Sequence, residues 1–258
     1  VTSDPIKNGI VAIEDGKIIG IYKELDSSIK ADVKSLSGVL IPGFINTHCH
    51  LELSHLFNVI PEKTGLVEFI GMVMESRGNE VTKINKAMKN ADDLMFNNGI
   101  QAVGDHANTS LSADIKHNSN IIYHTFVEII GLREEEVNAK IDEARDIEFY
   151  FNSMHSSITP HAPYSCSKSL FKAFKKSITE DNIISIHNQE SEEENKLFRY
   201  KTGEFLKFYE RLGLDLEEFK AQARNSIQSY LNYLPTANRT ILVHNTYTSI
   251  KDLDFITR

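Results

Sequence analysis

Cysteine is almost absent: Cys49 and Cys166 are the only two among 258 residues. That excludes a disulfide scaffold and makes a reducing cytoplasm the expected compartment. No apolar run reaches the roughly 18 residues that a membrane span needs. Basic charge is in deficit, with 28 Lys and Arg against 36 Asp and Glu and a formal net charge of -8. Phosphate backbones call for a basic surface, so polymeric nucleic acid is not an expected partner. Internal repeats and low-complexity linkers are lacking as well. The opening Val1-Thr2-Ser3-Asp4-Pro5 reads neither as a signal peptide nor as a natural start, since it has no Met. What is present suits one folded protein, with 41% hydrophobic and 25% charged residues. Such a chain is long enough to bury a large core without staples. The ten histidines stand out, and where they fall is informative.

Residues 10–13 and 17–21 flank Asp15-Gly16 and predict a hairpin. The apolar stretch 39–45 reads as a strand that ends in Asn46-Thr47-His48. Val81, Ile84, Ala87, Met88, Ala91, Leu94 and Met95 recur at helical spacing, and Asn98-Gly99 stops that helix. Further strands are expected over 100–105, 120–128, 157–159, 183–186 and 240–243. Helices are expected over 134–144, after Ser167, over 204–212 and 216–223, and after Thr248 or Ser249. Alternating strands and helices imply a parallel sheet wrapped by helices. A polar or ionisable residue closes nearly every strand, which is the habit of a (β/α)8 barrel. Six such strands can be counted before the sequence ends.

Four histidines close four of these strands. His48 and His50 stand one residue apart, so on a strand their imidazoles project to one side and suit a divalent transition metal. Two surface histidines on a loop would look the same in isolation. His187 follows a second buried segment, and Glu190 lies three residues on, within reach of water beside a metal. Glu190, Glu192, Glu193 and Glu194 also suit a first helical turn; that reading is adopted for the last three. His244 ends a third segment. His161 sits between Pro160 and Pro163, whose fixed backbone limits the loop.

Together these residues resemble the amidohydrolase superfamily, in its branch of adenosine-type, S-adenosylhomocysteine/methylthioadenosine, aminofutalosine and chlorohydrolase-like deaminases. The carrying stretches are Ile41-Pro42-Gly43-Phe44-Ile45-Asn46-Thr47-His48-Cys49-His50-Leu51-Glu52, Thr159-Pro160-His161-Ala162-Pro163-Tyr164-Ser165, His187-Asn188-Gln189-Glu190 and Val243-His244. The resemblance implies a TIM-type α/β barrel over 41–258, incomplete at its C-terminal end, and part of a small β-sandwich over 1–40. It implies His48, His50 and His187 as ligands of one divalent cation, zinc ahead of ferrous iron. It implies Glu190 as the proton shuttle and His244 as the residue that positions and deprotonates water. His161 would contact substrate, and Glu52 and Glu128 near strand ends would line the pocket. The family's eighth-strand aspartate has no match, which suggests that the sequence lacks both natural ends.

The implied activity is hydrolytic deamination of a purine nucleoside-like or related aminoheterocycle, with ammonia released. A triazine-type chlorohydrolase or cyclic-amide hydrolase would use the same site, and a non-catalytic metal-binding barrel belongs to another class. A structural zinc site is disfavoured because such sites are closed and cysteine-rich. The partner is a small molecule rather than a membrane, and a homodimer is compatible. Asp105 and His106 read equally as pocket residues or as caps of their loop. His55, His117, His124 and His155 read as structural or solvent-facing. Cys49 and Cys166 read as small buried fillers, and Met72-Val73-Met74 as core.

Overall fold

The computed structural model describes residues 4–24, 30–214, 216 and 219–257. The chain divides into two compact units, one ending at Pro42 and the other beginning at Gly43. In the first, β1 (Ile10–Glu14) and β2 (Lys17–Tyr22) pair as an antiparallel hairpin. Asp15 and Gly16 both take positive φ, 48° and 74°, as a two-residue turn matched to strand twist requires.

In the second unit, β3 (Phe44–Cys49), β4 (Ile100–Ala107), β5 (Ile122–Ile129) and β6 (His155–Pro160) pair in parallel and in chain order. A further parallel pair joins β7 (Ile184–Asn188) to β8 (Thr240–His244). Thr159 stitches β6 to β7: its Oγ1 donates to the Ser185 carbonyl (2.7 Å) and accepts from the Ser185 N–H (3.0 Å). Helices separate the successive strands, among them α1 (Leu66–Ser76), α2 (Val81–Asn97), α3 (Ala113–His117), α4 (Val137–Phe149) and α5 (Lys168–Ser177). Between β7 and β8 lie α6 (Glu192–Tyr200), α7 (Glu204–Arg211) and α8 (Ser226–Tyr230), and α9 (Ile250–Ile256) follows β8. This is the alternation of a (β/α)8-type barrel, with six of its strands in the described residues. No helix among them is long and apolar enough to cross a membrane.

Burial is deepest along β5, β6 and β7, most of whose residues are buried. Val127, Ile129, Ile158, Ile184 and Ile186 pack with Ile141 of α4, with Leu170 and Phe174 of α5 and with Ile227 of α8. Each such side chain contributes about 1.5–3 kcal/mol on burial. Helix ends follow local chemistry. Ser167 accepts from the Leu170 N–H at the start of α5, and Ser249 and Asp252 form a capping box on α9.

Two expectations are corrected and one element is added. The first barrel strand begins at Phe44, because Pro42 has no N–H to give a ladder, and Leu40 and Ile41 stay exposed. The described part of 216–223, residues 216 and 219–223, is not helical. Its donors turn elsewhere, the Gln222 N–H bonding the Phe198 carbonyl (3.1 Å) and the Phe219 N–H that of Leu216 (3.0 Å); the other residues of that stretch lie outside the described set. Helix α1 was not anticipated, although Leu66, Val67, Ile70 and Val73 carry its apolar stripe.

Candidate metal centre

The C-terminal ends of β3, β4, β7 and β8 bring histidines from distant parts of the chain to one place. Ring centroids of His48 lie 4.9 Å from His50, 4.6 Å from His106, 4.8 Å from His187 and 5.2 Å from His244. His48, His50, His106 and His187 each offer a ligand nitrogen within 4.8 Å of the others. The Nε2 atoms of His50 and His187 are 3.2 Å apart. Two nitrogens on one tetrahedral cation, with bonds of about 2.0–2.1 Å, would stand about 3.3 Å apart.

The fold sets the imidazole tautomers. His187 Nδ1 lies 2.9 Å from the His161 carbonyl, which can only accept, so Nδ1 carries the proton and Nε2 presents its lone pair to the cluster. Burial above all, then the imidazoles of His106, His50 and His244, lowers the pKa of His48 to about 3. Burial likewise lowers His50, His161, His187 and His244. Neutral imidazole is the form that binds a cation. The buried Nδ1 of His48 has no hydrogen-bond partner. An unsatisfied buried nitrogen amid neutral imidazoles is the environment that a divalent cation fits.

Glu190 and His244 stand beside this cluster. Their Oε1 and Nε2 atoms are 3.6 Å apart, and the His187 and His244 rings stack at 5.4 Å. Burial pushes the Glu190 carboxyl up to about 7. His244 holds a left-handed backbone (φ 74°), as does Asn245 (φ 57°). Such strain costs about 1–3 kcal/mol per residue and needs support. The support is an amide network anchored on buried Asn188: the Asn245 N–H donates to the Asn188 carbonyl (3.0 Å), and Asn188 Nδ2 donates to Asn245 Oδ1 (2.8 Å). The Tyr230 hydroxyl fixes Asn188 in turn, donating to its Oδ1 at 2.8 Å. Glu192, Glu193 and Glu194 form the first turn of α6, as their charge suits. Glu194 folds back to accept from the N–H groups of Gln189 (2.9 Å) and Glu190 (3.2 Å).

The remaining sequence candidates divide. Glu128 is buried, with Oε1 2.8 Å from His106 Nδ1 and 3.5 Å from His187 Nδ1. Burial opposes its charge, but the imidazoles around it, His161 and His106 foremost, hold its carboxyl well below the usual range. With His161 and His187 it makes a second group of suitable ligand atoms. His161 brings its ring to 4.7 Å from that of His187, while its Nδ1 lies 2.7 Å from Ser165 Oγ. Its backbone carbonyl, which no motif singles out, orients His187. Glu52 spends both carboxylate oxygens on the loop after β4: Oε1 accepts from the Asn108 N–H (3.0 Å), and Oε2 accepts from the Thr109 N–H (3.1 Å) and hydroxyl (2.9 Å).

Sequence reasoning left His106 undecided, yet it is fully buried in the cluster, between Glu128 and the Ser185 hydroxyl (2.8 Å). Its place at the end of β4 was the available sign. Arg77 and Asn108 were not anticipated. Arg77 Nη2 donates to Asn108 Oδ1 (2.6 Å), and Asn108 Nδ2 donates to Glu128 Oε2 (2.9 Å). Cys49 packs beside Leu51, Met88 and Val103, away from any ligand role. Burial first, and then the Asp105 carboxylate, raises its thiol pKa and keeps it protonated.

Comparison with known proteins places the fold and the family. An adenosine deaminase of Helicobacter pylori is 26% identical over 255 residues, covering 95% of this chain and 60% of that protein. The crystal structure of Helicobacter pylori aminofutalosine deaminase in complex with methylthio-coformycin matches with a TM-score of 0.66 at 24% identity, over 84% of this chain and 53% of the other. A guanine deaminase from C. acetobutylicum with bound guanine matches with a TM-score of 0.70 at 17% identity, over 98% and 61%. The chain thus spans about half to three-fifths of the length of these proteins. The family model for the Amidohydrolase family matches residues 39–258, and the chain belongs to that family.

Proposed function

We propose that this chain carries the catalytic centre of a metal-dependent aminohydrolase that releases ammonia from an adenosine-type nucleoside or a related aminopurine. His48, His50 and His187 would hold one divalent cation, zinc ahead of ferrous iron. When bound, the cation supplies the Lewis acidity that brings the pKa of water down to about 7. His244 takes the proton of the attacking water, whose oxygen forms a bond to the ring carbon bearing the amino group. Glu190, a carboxyl half-protonated near neutrality, donates its proton to the adjacent ring nitrogen. The carbon–nitrogen bond then breaks as His244 passes its proton to the departing amino group, ammonia leaves, and the proton lost when the new hydroxyl becomes a carbonyl restores the acid form of Glu190. His161 and Glu128 would face the heterocycle or its sugar, and Glu52 would support the pocket wall through the loop after β4.

The observation that carries this reading is the approach of His50 and His187, 137 residues apart in sequence, to 3.2 Å, with Glu190 and His244 paired beside them. The adenosine deaminase relative supports the nucleoside class. The two reduced cysteines fit a cytoplasmic enzyme. The test is ammonia release by zinc-loaded protein across adenine, adenosine, methylthioadenosine, S-adenosylhomocysteine, aminofutalosine and guanine. Release from at least one is expected. No release from any of them, with zinc bound, would refute the reading, and chloride release from a chlorotriazine would redirect it to the chlorohydrolase alternative.

A further inference from the structure

Behind the histidines lies a buried ion pair that the proposed chemistry does not use. Asp105 opens the buried C-terminal run of β4 and Lys116 lies on α3; they are 0% and 3% exposed. Lys116 Nζ is 2.6 Å from Asp105 Oδ2, an ionic contact rather than an oriented hydrogen bond. The ammonium also donates to Thr125 Oγ1 (3.0 Å) and lies over the rings of Phe151 (4.7 Å) and Tyr123 (5.6 Å). A buried ion pair is a poor source of stability, since apolar residues of equal volume commonly serve as well or better. The position of this one suggests another use.

The other oxygen of Asp105 points at β3. Oδ1 accepts from the Leu51 N–H at 2.7 Å, one residue beyond His50. Cys49, between the two histidines, is the register partner of Asp105. Just before it the ladder breaks: Asn46 faces Val103 and Cys49 faces Asp105, so three steps along β3 span two along β4. Such an irregularity re-aims side chains, and here it falls on Thr47 and His48. The close approach needs Gly104, where a Cβ would lie 2.8 Å from the Thr47 carbonyl oxygen.

We propose that Asp105, held by Lys116, is a positioning residue that grips the end of β3 at Leu51 and so aims His48 and His50 at a shared cation. This rests on the metal reading of the site. The double variant D105L/K116M removes the grip and leaves an apolar pair in its place. Its metal-free melting temperature should stay within a few degrees of the parent. Its zinc affinity, measured by chelator competition, should fall about 10–100-fold, and the visible absorption of its Co(II) form should change. A purely structural pair would shift the melting temperature and leave both metal readouts alone. Should D105L/K116M fail to fold, D105N/K116M removes both charges but keeps an acceptor, and a smaller loss of about three- to tenfold is expected. Zinc affinity within twofold of the parent and an unaltered Co(II) spectrum, in whichever variant folds, would overturn the proposal. A parent that binds neither zinc nor cobalt would instead overturn the metal assignment itself.

Discussion

Replacing Glu190 by Gln removes one proton and almost no volume, which isolates its role in catalysis. A carboxyl at the ordinary value of 4.5 would be protonated in about 0.3% of molecules at pH 7. Burial pushes Glu190 up to about 7, so about half of the molecules carry the proton at that pH. The fold therefore enlarges the acid population about 150-fold. Glu190→Gln should lower kcat/KM for ammonia release by about 100- to 10,000-fold, with zinc content by elemental analysis unchanged. The parent's kcat/KM should fall about tenfold per pH unit above about pH 7, where the acid form is lost. That descending limb should be missing from the variant. Turnover within about tenfold of the parent, or a limb that persists in the variant, would remove Glu190 from the mechanism.

Three further outcomes are expected. His187→Ala deletes the lone pair that the His161 carbonyl orients, and zinc per chain should drop from about one to near zero by elemental analysis. Gly104→Ala drives a methyl to 2.8 Å from the Thr47 carbonyl oxygen and 3.1 Å from Phe126 Cε2; overpacking of this kind costs about 1–3 kcal/mol, readable as a lower urea midpoint. Asp252 is buried, which alone would raise its carboxyl, but hydrogen bonds from the Ser249 backbone and side chain, Asn225 and Gln228 outweigh burial and hold it at about 2 rather than 3.8. Its stabilisation is complete above about pH 4 and disappears as the pH falls towards 2. Denaturation midpoints measured across that window should decline less steeply in Asp252→Asn than in the parent.

Much of the site is legible in one dimension because barrel chemistry collects where strands end. His48, His50, His187 and His244 each follow a short apolar run, and the run marks both the strand and the end that carries the histidine. Helices α2 and α5 are readable because their apolar spacing and their stops are local. The segment 216–223 misleads for the opposite reason. Its spacing suits a helix, but among its described residues the Gln222 N–H finds its partner on α6, the Phe198 carbonyl, and the Phe219 N–H bonds the Leu216 carbonyl. Glu52 looks like a pocket residue by proximity to His50, yet its carboxylate is consumed by the Asn108 and Thr109 backbone, a partnership between loops more than fifty residues apart.

The sequence by itself determined the strand–helix alternation, the histidines available to a cation and the acid that follows His187. All of these depend on periodicity and on short spacings along the chain. Only the tertiary structure decided which nitrogen of His187 is free, that His106 joins the cluster, that burial raises the Glu190 carboxyl, and that Asp105 with Lys116 stands behind β3. Those facts arise from groups on different strands meeting at distances of about 3 Å, where hydrogen bonding and desolvation act and where sequence separation carries no information.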